Sequence, residues 1–400
     1  MARRFDVMVA GHLCIDIIPR FPDTGVRDIS ELMRPGKLVN VAEATISTGG
    51  PVSNTGINMK TLGNRVCFCA CVGDDALGRM TIGLLKASGH AEGVRTLSGA
   101  TSSYTIVVAP PGIDRIFLHN PGTNNVFGAE NLDPRLIRQC RHFHFGYPPL
   151  MNRMFADAGA ELEKIFKLAK AAGATTSCDM TLPDPASPSG KAPWRKILRR
   201  ILPHVDVYLP SAEETFYMLW PDEFLARKKR HKQADLLNHF TPEEYSVMAD
   251  EVLAMGTRMV ALKSGHRGFY LKTSGKAAMA ELDFITPRCR AGWADRELWT
   301  PAFAVDHFGS ATGSGDSAIA GFLSALLRGL PIEATLKYAT CCGLQNVRVL
   351  DAVSGIKPWD ETTRMLKRRM PMLDLKITGE GWRYSKKAGL WAGPGDPLAE

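Results

Sequence analysis

The chain has 400 residues, of which 45% are hydrophobic and 22% are charged, and its net charge is +8. This composition argues against disorder and fits one large α/β domain with an appendage, or two domains. The modest positive excess suits small anionic partners and does not argue for nucleic acid. No apolar run approaches the ~20 residues of a membrane span. Nine cysteines without a framework spacing predict a reducing, cytoplasmic location.

The N-terminal part predicts a strand followed by a carboxylate. Residues 5–13 are a β-rich run, and Asp16 follows in Gly11-His-Leu-Cys-Ile-Asp16. Ligands of doubly wound sheets bind beyond the carboxyl ends of strands, although a turn-stabilising aspartate is the alternative. Residues 17–48 predict short strands and turns, and Gly49-Gly-Pro-Val-Ser-Asn54 opens a helix that ends near Gly63.

The middle of the chain predicts buried strands. Cys67, Cys69 and Cys71 alternate within an apolar run, and no Cys-x-x-Cys or nearby His completes a metal site, so we expect a buried strand. Residues 102–108 and 116–119 predict a hairpin. Later strands alternate with helices in the rhythm of a parallel sheet. These strands are residues 142–145, 175–179, 205–209 and 259–263.

Residues 220–245 and 275–308 look like insertions. The first contains the basic run Arg227-Lys-Lys-Arg-His-Lys232. Because no aromatic residues interleave with these charges, a solvated helix face or loop is favoured over a nucleic-acid site. The second insertion is rich in Trp, and its sequence predicts no role for it.

A glycine-rich turn, Gly313-Ser-Gly-Asp316, feeds an apolar helix. Its glycines permit positive φ, so successive backbone N–H groups can face outward at the positive end of the helix dipole and bind phosphate. Asp316 would repel a resting phosphate, but it can take a proton from a hydroxyl that attacks one. The alternative is that Asp316 merely caps the helix. No Lys follows the last glycine, which excludes a Walker P-loop.

The stretch Ser310-Ala-Thr-Gly-Ser-Gly-Asp316 resembles the C-terminal signature of the ribokinase-like (PfkB) carbohydrate kinases, Asp-Thr-x-Gly-Ala-Gly-Asp, with Ser310 and Ala311 replacing the leading pair. The motifs that begin at Gly11 and Gly49 resemble that family's Gly-x-x-x-x-Asp and Gly-Gly-x-x-x-Asn. Further similar motifs are Pro210-Ser-Ala-Glu-Glu214, where the family has Asn-x-x-Glu, and Gly265-His-Arg-Gly268. The resemblance covers about residues 5–357. It implies an α/β fold with a doubly wound, mostly parallel sheet flanked by helices, and a small β-sheet lid.

The resemblance also implies a reaction, in which the γ-phosphoryl group of ATP moves to a hydroxyl of a sugar or sugar-like acceptor. The implied cofactors are ATP and Mg²⁺, with a monovalent cation as a further candidate. The implied catalytic residues are Asp316 as general base and Gly313, Ser314 and Gly315 as anion hole. The implied acceptor-binding residues are Asp16, Gly49, Gly50, Asn54 and Asn124. The implied nucleotide-binding residues are Ser211, Lys263, Gly265, Gly268 and Asn346, and the implied metal-binding residue is Glu214.

We expect a kinase domain over residues 1–380, with a lid formed by about 17–48 and 98–122, and a C-terminal tail over 381–400. The partners implied are the acceptor and ATP, with no nucleic acid and no membrane, and a homodimer through the lid is a candidate assembly. A nucleoside kinase of the same family is one alternative. A catalytically silent sugar- or nucleotide-binding protein is another, motivated by Ser211, Ser310 and Ala311 and opposed by Asp316 and the intact glycines.

Overall fold

The computed structural model describes residues 3–23, 25–26, 28–113, 116–282, 291–368 and 370–398. The strands are β1 (Phe5–Gly11), β2 (Cys14–Pro19), β3 (Ala44–Gly49), β4 (Val66–Gly73), β5 (His90–Leu97), β6 (Tyr104–Val108), β7 (Ile116–Asn120), β8 (Cys140–Gly146), β9 (Thr175–Asp179), β10 (Val207–Tyr208), β11 (Met259–Lys263), β12 (Phe269–Thr273), β13 (Glu297–Thr300), β14 (Arg383–Ser385) and β15 (Leu390–Ala392). The α-helices are α1 (Ile29–Leu32), α2 (Pro51–Thr61), α3 (Ala76–Ser88), α4 (Pro134–Arg138), α5 (Asn152–Phe155), α6 (Ala160–Ala171), α7 (Trp194–Ile201), α8 (Ala212–Leu219), α9 (Pro221–Arg230), α10 (Pro242–Ala254), α11 (Lys276–Ala280), α12 (Ser314–Leu327), α13 (Ile332–Val347) and α14 (Trp359–Lys367).

The larger sheet has 11 strands in the order β14-β15-β13-β12-β11-β10-β9-β8-β1-β4-β5. All neighbours from β5 to β11 are parallel, and β12, β13, β15 and β14 continue the sheet antiparallel. The chain winds outward in both directions from β1, which lies between β4 and β8. Such a point of reversal is where doubly wound sheets bind ligands. The predicted fold class is confirmed.

Helices cover both faces of this sheet, and each face has its own apolar core. Strand β4 is buried along its whole length, and its side chains alternate between the two cores. Cys67, Cys69 and Cys71 face one core, whereas Phe68 and Val72 face the other. Among the described residues no group of three or more His, Cys, Asp or Glu could hold a metal ion. The interpretation of these cysteines as core residues is confirmed.

A second, four-stranded sheet has the order β3-β2-β6-β7 and is built mainly from the two segments predicted to form a lid. Strand β2 starts at Cys14, ahead of the predicted boundary at residue 17, so this sheet branches directly from the carboxyl end of β1. One row of cross-strand partners is Ser47, Asp16, Thr105 and His119, and the next row is Ile46, Ile17, Ile106 and Leu118. Because adjacent rows point to opposite faces, the sheet has one polar and one apolar face here.

The prediction that residues 381–400 form a tail outside the core is wrong. Strands β14 and β15 form a hairpin that extends the main sheet beyond β13. Asp396, which is 1% exposed, accepts hydrogen bonds from Arg296 Nε at 3.0 Å and from the Glu297 backbone N–H at 2.8 Å. The Trp-rich insertion supplies β13, so the end of the chain completes a sheet edge that this insertion begins.

The basic run lies at the end of α9 and beyond it. Arg227 pairs with Glu223 and Glu244, and Lys228 pairs with Glu213. These ion pairs within the chain support the interpretation of a helix face. No helix among the described residues is long and apolar enough to cross a membrane.

Candidate active site

The glycine-rich turn forms the N-terminus of α12, as predicted. Gly313 is the N-cap residue with φ 73°, and a Cβ on it would lie 2.3 Å from the Cβ of Ala352. A side chain at this position is therefore excluded both by backbone conformation and by space. The first N–H groups of an α-helix lack intrahelical partners and carry positive potential, so this turn is suited to bind an anion.

Asp316 lies in the first turn of α12 and is 2% exposed. Its carboxylate accepts hydrogen bonds from Asn54 Nδ2 at 2.9 Å, from Thr55 Oγ1 at 3.3 Å and from the Tyr147 hydroxyl, which lies 3.1 Å from each oxygen. Burial raises the pKa of Asp316, and these donors together with the Lys263 ammonium oppose the rise. Since the N-cap is Gly313 and no side chain caps the helix, Asp316 is not the cap.

The predicted acceptor residues Asp16, Gly49 and Gly50 come together where β1, β2 and α2 meet. A Cβ on Gly49 would lie 2.2 Å from Asp16 Oδ2, and a Cβ on Gly50 would lie 2.6 Å from His12 Nδ1. The two glycines thus leave space for the Asp16 carboxylate and the His12 ring. Burial raises the pKa of Asp16.

The two asparagines predicted to bind the acceptor differ in their surroundings. Asn124 accepts from the Leu13 backbone N–H at 3.2 Å and donates to the Leu13 carbonyl at 3.0 Å, so its amide holds the bend between β1 and β2 instead of facing the acceptor pocket. Asn54 lies at the site, where its Nδ2 is bound to Asp316 and its Oδ1 is buried without a partner.

A cavity of about 250 Å³ lies between the turn after β11 and helices α12 and α13. Its polar and glycine lining includes Lys263, Ser264, Gly265, His266, Gly268, Ser314 and Gly315. Its apolar lining includes Phe303, Val305, Phe308, Ala318, Leu344 and Val347. A mainly apolar wall next to a glycine turn suits a base with attached phosphates.

Asn346 and Ser211, predicted to bind nucleotide, do not line this cavity. Asn346 Nδ2 donates to the Thr312 carbonyl at 2.6 Å and so holds the chain that leads into the turn. Ser211 is the N-cap of α8 and forms a capping box with Glu214: Ser211 Oγ accepts from the Glu214 N–H at 3.2 Å, and the Glu214 carboxylate accepts from the Ser211 N–H at 2.7 Å.

Three carboxylates and one ammonium group interact around the turn: Asp179, Glu214, Asp316 and Lys263. Lys263 Nζ forms an ion pair with Asp179 Oδ1, and Asp179 Oδ2 is buried without a partner. Burial raises the pKa of Asp179 and of Glu214, whereas the surrounding carboxylates raise the pKa of Lys263 against the effect of burial. The negative charge of the group exceeds its positive charge, which suits the binding of a further cation.

A family model described as pfkB family carbohydrate kinase matches residues 4–359. The chain belongs to this family. Fructokinase-2 of Solanum lycopersicum is 29% identical over 211 residues, which are 52% of this chain and 60% of that protein. Probable fructokinase-4 of Arabidopsis thaliana is 28% identical over 216 residues, or 53% of this chain and 61% of that protein. The chain thus spans about three fifths of the length of these two pfkB relatives.

Solved structures share the fold at low sequence identity. A ribokinase of Arabidopsis thaliana, complexed with ribose and ATP, superimposes with a TM-score of 0.66 at 16% identity and covers 92% of this chain and 99% of its own. An E. coli protein provisionally named ribokinase II, in complex with ATP and Mg²⁺, superimposes with a TM-score of 0.62 at 20% identity. The match covers 91% of this chain and 100% of the E. coli chain. These structures support the pfkB fold assignment.

Several residues that lie next to the predicted site residues were not predicted from the sequence. Tyr147 follows β8 with φ 62°, His12 follows β1, and their ring centroids lie 6.3 Å apart. His12 Nε2 lies 3.4 Å from Nε2 of His119 on β7. Tyr147 and His12 each lie just after a parallel strand, and this position could have indicated them as site residues. The same signal applies to Asp179, which lies at the end of β9. Nothing in the sequence pairs His119 with His12.

Proposed function

We propose that this pfkB family protein is an ATP-dependent kinase that phosphorylates a hydroxyl of a sugar or sugar-like acceptor. The observation that carries the proposal is the position of Asp316. It lies at the helix N-terminus where the nucleotide cavity, lined by Gly315, meets the acceptor side, marked by Asn54. A base at the junction of two binding regions is the arrangement that direct group transfer between two substrates requires.

In the proposed reaction, ATP lies in the cavity with its γ-phosphoryl group at the amides of Gly313, Ser314 and Gly315. Asp316 takes the proton of the acceptor hydroxyl, the hydroxyl oxygen bonds to the γ-phosphorus, and the bond to the bridging oxygen of ADP breaks. Asp16 lies on the polar face of the small sheet and binds other acceptor hydroxyls. The turn amides stabilise the charge on the transferred group because they are fixed before the reaction begins.

The residues present fit a magnesium ion bound to ATP. Glu214 and Asp179 would hold the ion, directly or through its bound waters, and Asp179 Oδ2 is buried without a partner. Mg²⁺ usually keeps waters and phosphate oxygens together with one or two protein carboxylates. When bound, Mg²⁺ neutralises charge on the β- and γ-phosphates. A monovalent cation stays a candidate. Comparing the rate of ADP release in potassium salts with the rate in tetramethylammonium salts tests it.

The small sheet is proposed to act as a lid and as a dimer interface. Its polar row, with Asp16, Thr105 and His119, faces the site, and its apolar row is open: Ile46 is 42% and Leu118 is 49% exposed. An exposed apolar face of this kind favours a second copy of the chain. Sedimentation of the full chain tests the dimer, and slower hydrogen exchange of β2, β3, β6 and β7 with acceptor bound tests the lid.

The experiment that tests the kinase proposal is ADP release, coupled to an indicator enzyme, across a panel of sugars and nucleosides. Turnover of a sugar supports it, and fructose and ribose come first because the relatives and structural neighbours are named for them. If a nucleoside is turned over faster than any sugar, the protein is a nucleoside kinase and not a sugar kinase. Acceptor binding without any ADP release would favour a silent binding protein.

A further inference from the structure

We infer that Lys263 is a catalytic residue that stabilises the transferring phosphoryl group, and that Asp179 is a positioning residue that holds it. The inference rests on the proposed kinase function and deepens it, because it assigns Lys263 to the transition state and not merely to nucleotide binding. Its basis is the placement of the ammonium group, the ion pair that fixes it and the unsatisfied oxygen of its partner.

The placement follows from the strand order. Lys263 ends β11 and Asp179 ends β9, and β10 lies between these strands. The backbone N–H of Lys263 donates to the Pro210 carbonyl at 2.9 Å, which ties the end of β11 to the chain that leaves β10. From there the Lys263 side chain crosses the end of β10 to reach Asp179. The ammonium group is therefore held over the carboxyl edge of the sheet, where ligands of such sheets bind.

The same side chain passes the anion turn. A Cβ built on Gly315 would lie 3.4 Å from Lys263 Cδ, 3.5 Å from Cε and 3.8 Å from Nζ. Lys263 and Gly315 also line the same cavity. An anion bound by the turn amides would consequently lie beside the ammonium group. The distances from a Cβ at Gly315 are ordinary van der Waals distances, so the Lys263 side chain packs directly beside the turn at Gly315.

A purely structural ion pair does not account for this arrangement. Asp179 is fully buried and its Oδ1 accepts from Lys263 and, at 2.8 Å, from the Met180 N–H, yet its Oδ2 has no partner. Buried ion pairs contribute weakly to stability even when fully satisfied. An incompletely satisfied pair on the wall of a ligand cavity points to a ligand that completes it. A phosphate for the ammonium and a metal-bound water for the free oxygen would both do so.

In the transfer step, the bond between the γ-phosphorus and the bridging oxygen of ADP breaks while Asp316 gains the acceptor proton, and negative charge is spread over the oxygens of the transferring phosphoryl group and the bridging oxygen. A fixed ammonium beside the turn stabilises that charge more in the transition state than in bound ATP, as preorganised groups do. Removing it should then lower kcat more than ATP affinity. Removing the Asp179 charge should leave the lysine present but free to move, with a smaller loss.

The test compares Lys263→Met, Lys263→Arg and Asp179→Asn with the wild type. Lys272→Met is the matched control, because Lys272 pairs with Asp250 at 2.7 Å on β12, away from the cavity. For Lys263→Met we expect kcat to fall about 10²-fold or more, the scale for loss of one such donor, with ATP affinity changed only several-fold. Asp179→Asn should lower kcat about tenfold, and Lys263→Arg should recover part of the activity. Lys272→Met should keep wild-type kcat.

A second measurement uses binding alone. Lys263→Met should bind ADP as the wild type does, but lose the tighter binding of ADP that aluminium fluoride confers by imitating the transferring phosphoryl group. A Lys263→Met variant with wild-type kcat, or with weaker ATP binding and unchanged kcat, would overturn the catalytic role. Wild-type kinetics in Asp179→Asn would overturn the positioning role. If the wild-type protein phosphorylates nothing in the panel, the kinase proposal itself is wrong. That result differs from both the failure of the Lys263 role and the failure of the Asp179 role, because each of those requires an active wild type.

Discussion

The Tyr147 hydroxyl lies 3.1 Å from both carboxylate oxygens of Asp316 and donates to that carboxylate. The Tyr147 backbone is in the left-handed region, with φ 62° and ψ 46°, which is uncommon for a bulky residue. Strained backbone of this kind is found at functional sites when the surrounding fold holds it in place. Here it directs the ring from the end of β8 towards α12 and so gives the buried Asp316 carboxylate a donor.

Tyr147→Phe should move the acidic limb of the kcat profile to higher pH. The hydroxyl favours the charged form of Asp316 and lowers its pKa, whereas burial raises it. Without the donor, the pKa of Asp316 rises further, and because only the ionised carboxylate can act as base, activity is lost at a higher pH. Profiles of kcat against pH measure the shift. Tyr384→Phe, at an exposed position, is the control, and an unmoved acidic limb would contradict the coupling.

Gly313→Ala should impair both folding and nucleotide binding. The new Cβ would overlap Ala352 and the residue would keep φ 73°, so the turn must move and its amides with it. We expect a loss of about 1–3 kcal/mol in unfolding free energy, together with weaker ATP binding. Gly83→Ala is the matched control, since Gly83 lies on α3 with nothing within 4 Å of a new Cβ. That control should be neutral or more stable by up to about 1 kcal/mol. Equal stability of both variants would argue against a constrained turn.

The sequence was most informative where one local pattern decides the structure. An uninterrupted apolar run identified β4, and the glycine turn with its apolar helix identified α12, because a run of apolar residues and the conformation of glycine are local properties. Asn124 and Asn346 were predicted to contact ligands, and their side-chain amides bind the backbone in this structure. A side-chain amide can bind a ligand or the backbone equally well, and the choice depends on which carbonyl the fold brings near.

The C-terminal hairpin was also missed because its structure depends on residues that are far away in the sequence. Strand β15 is three residues long, and its pairing partner β13 lies in a distant insertion, so no local pattern reveals it. The buried contacts of Asp396 with Arg296 and Glu297 depend on that pairing. The sequence at this end contains Gly, Pro and Trp and has no helical or strand periodicity, which is why a tail was predicted there.

Asp396→Ala should therefore destabilise the protein. It would leave the buried Arg296 Nε and the Glu297 N–H without their acceptor, although Arg296 keeps Glu333 at 2.8 Å. Breaking a buried pair of this kind costs about 3 kcal/mol, which urea unfolding would measure. Asp374→Ala is the control: its side chain is 80% exposed and 3.8 Å from Lys376, so its effect should stay within about 0.5 kcal/mol. A similar midpoint for both variants would mean that the hairpin contributes nothing to stability.

Glu214→Gln should raise the Mg²⁺ concentration that gives half-maximal rate. Gln can still accept from the Ser211 N–H and preserve the capping box, so the substitution removes the charge while it keeps the helix start. The neighbouring Glu213→Gln, whose side chain pairs with Lys228, is the matched control. Titration of the rate with Mg²⁺ at saturating ATP is the measurement. An unchanged requirement in an active Glu214→Gln variant would remove Glu214 from the metal site.

Asp316→Asn separates an enzyme from a silent binding protein. Asn keeps the size and one acceptor oxygen, and the Tyr147 hydroxyl can rotate to accept from the new amide, so we expect a melting temperature and an ATP affinity close to the wild-type values. The basic oxygen is lost, and kcat should fall about 10²-fold or more, the scale of a general base. Asp222→Asn, in the first turn of α9, is the control for a helix-start aspartate with no role at the site. Steady-state ADP release, ATP titration and thermal unfolding of both variants measure the three quantities. If Asp316→Asn turned over at the wild-type rate, the general-base role would be wrong even though the carboxylate is buried between the two binding regions.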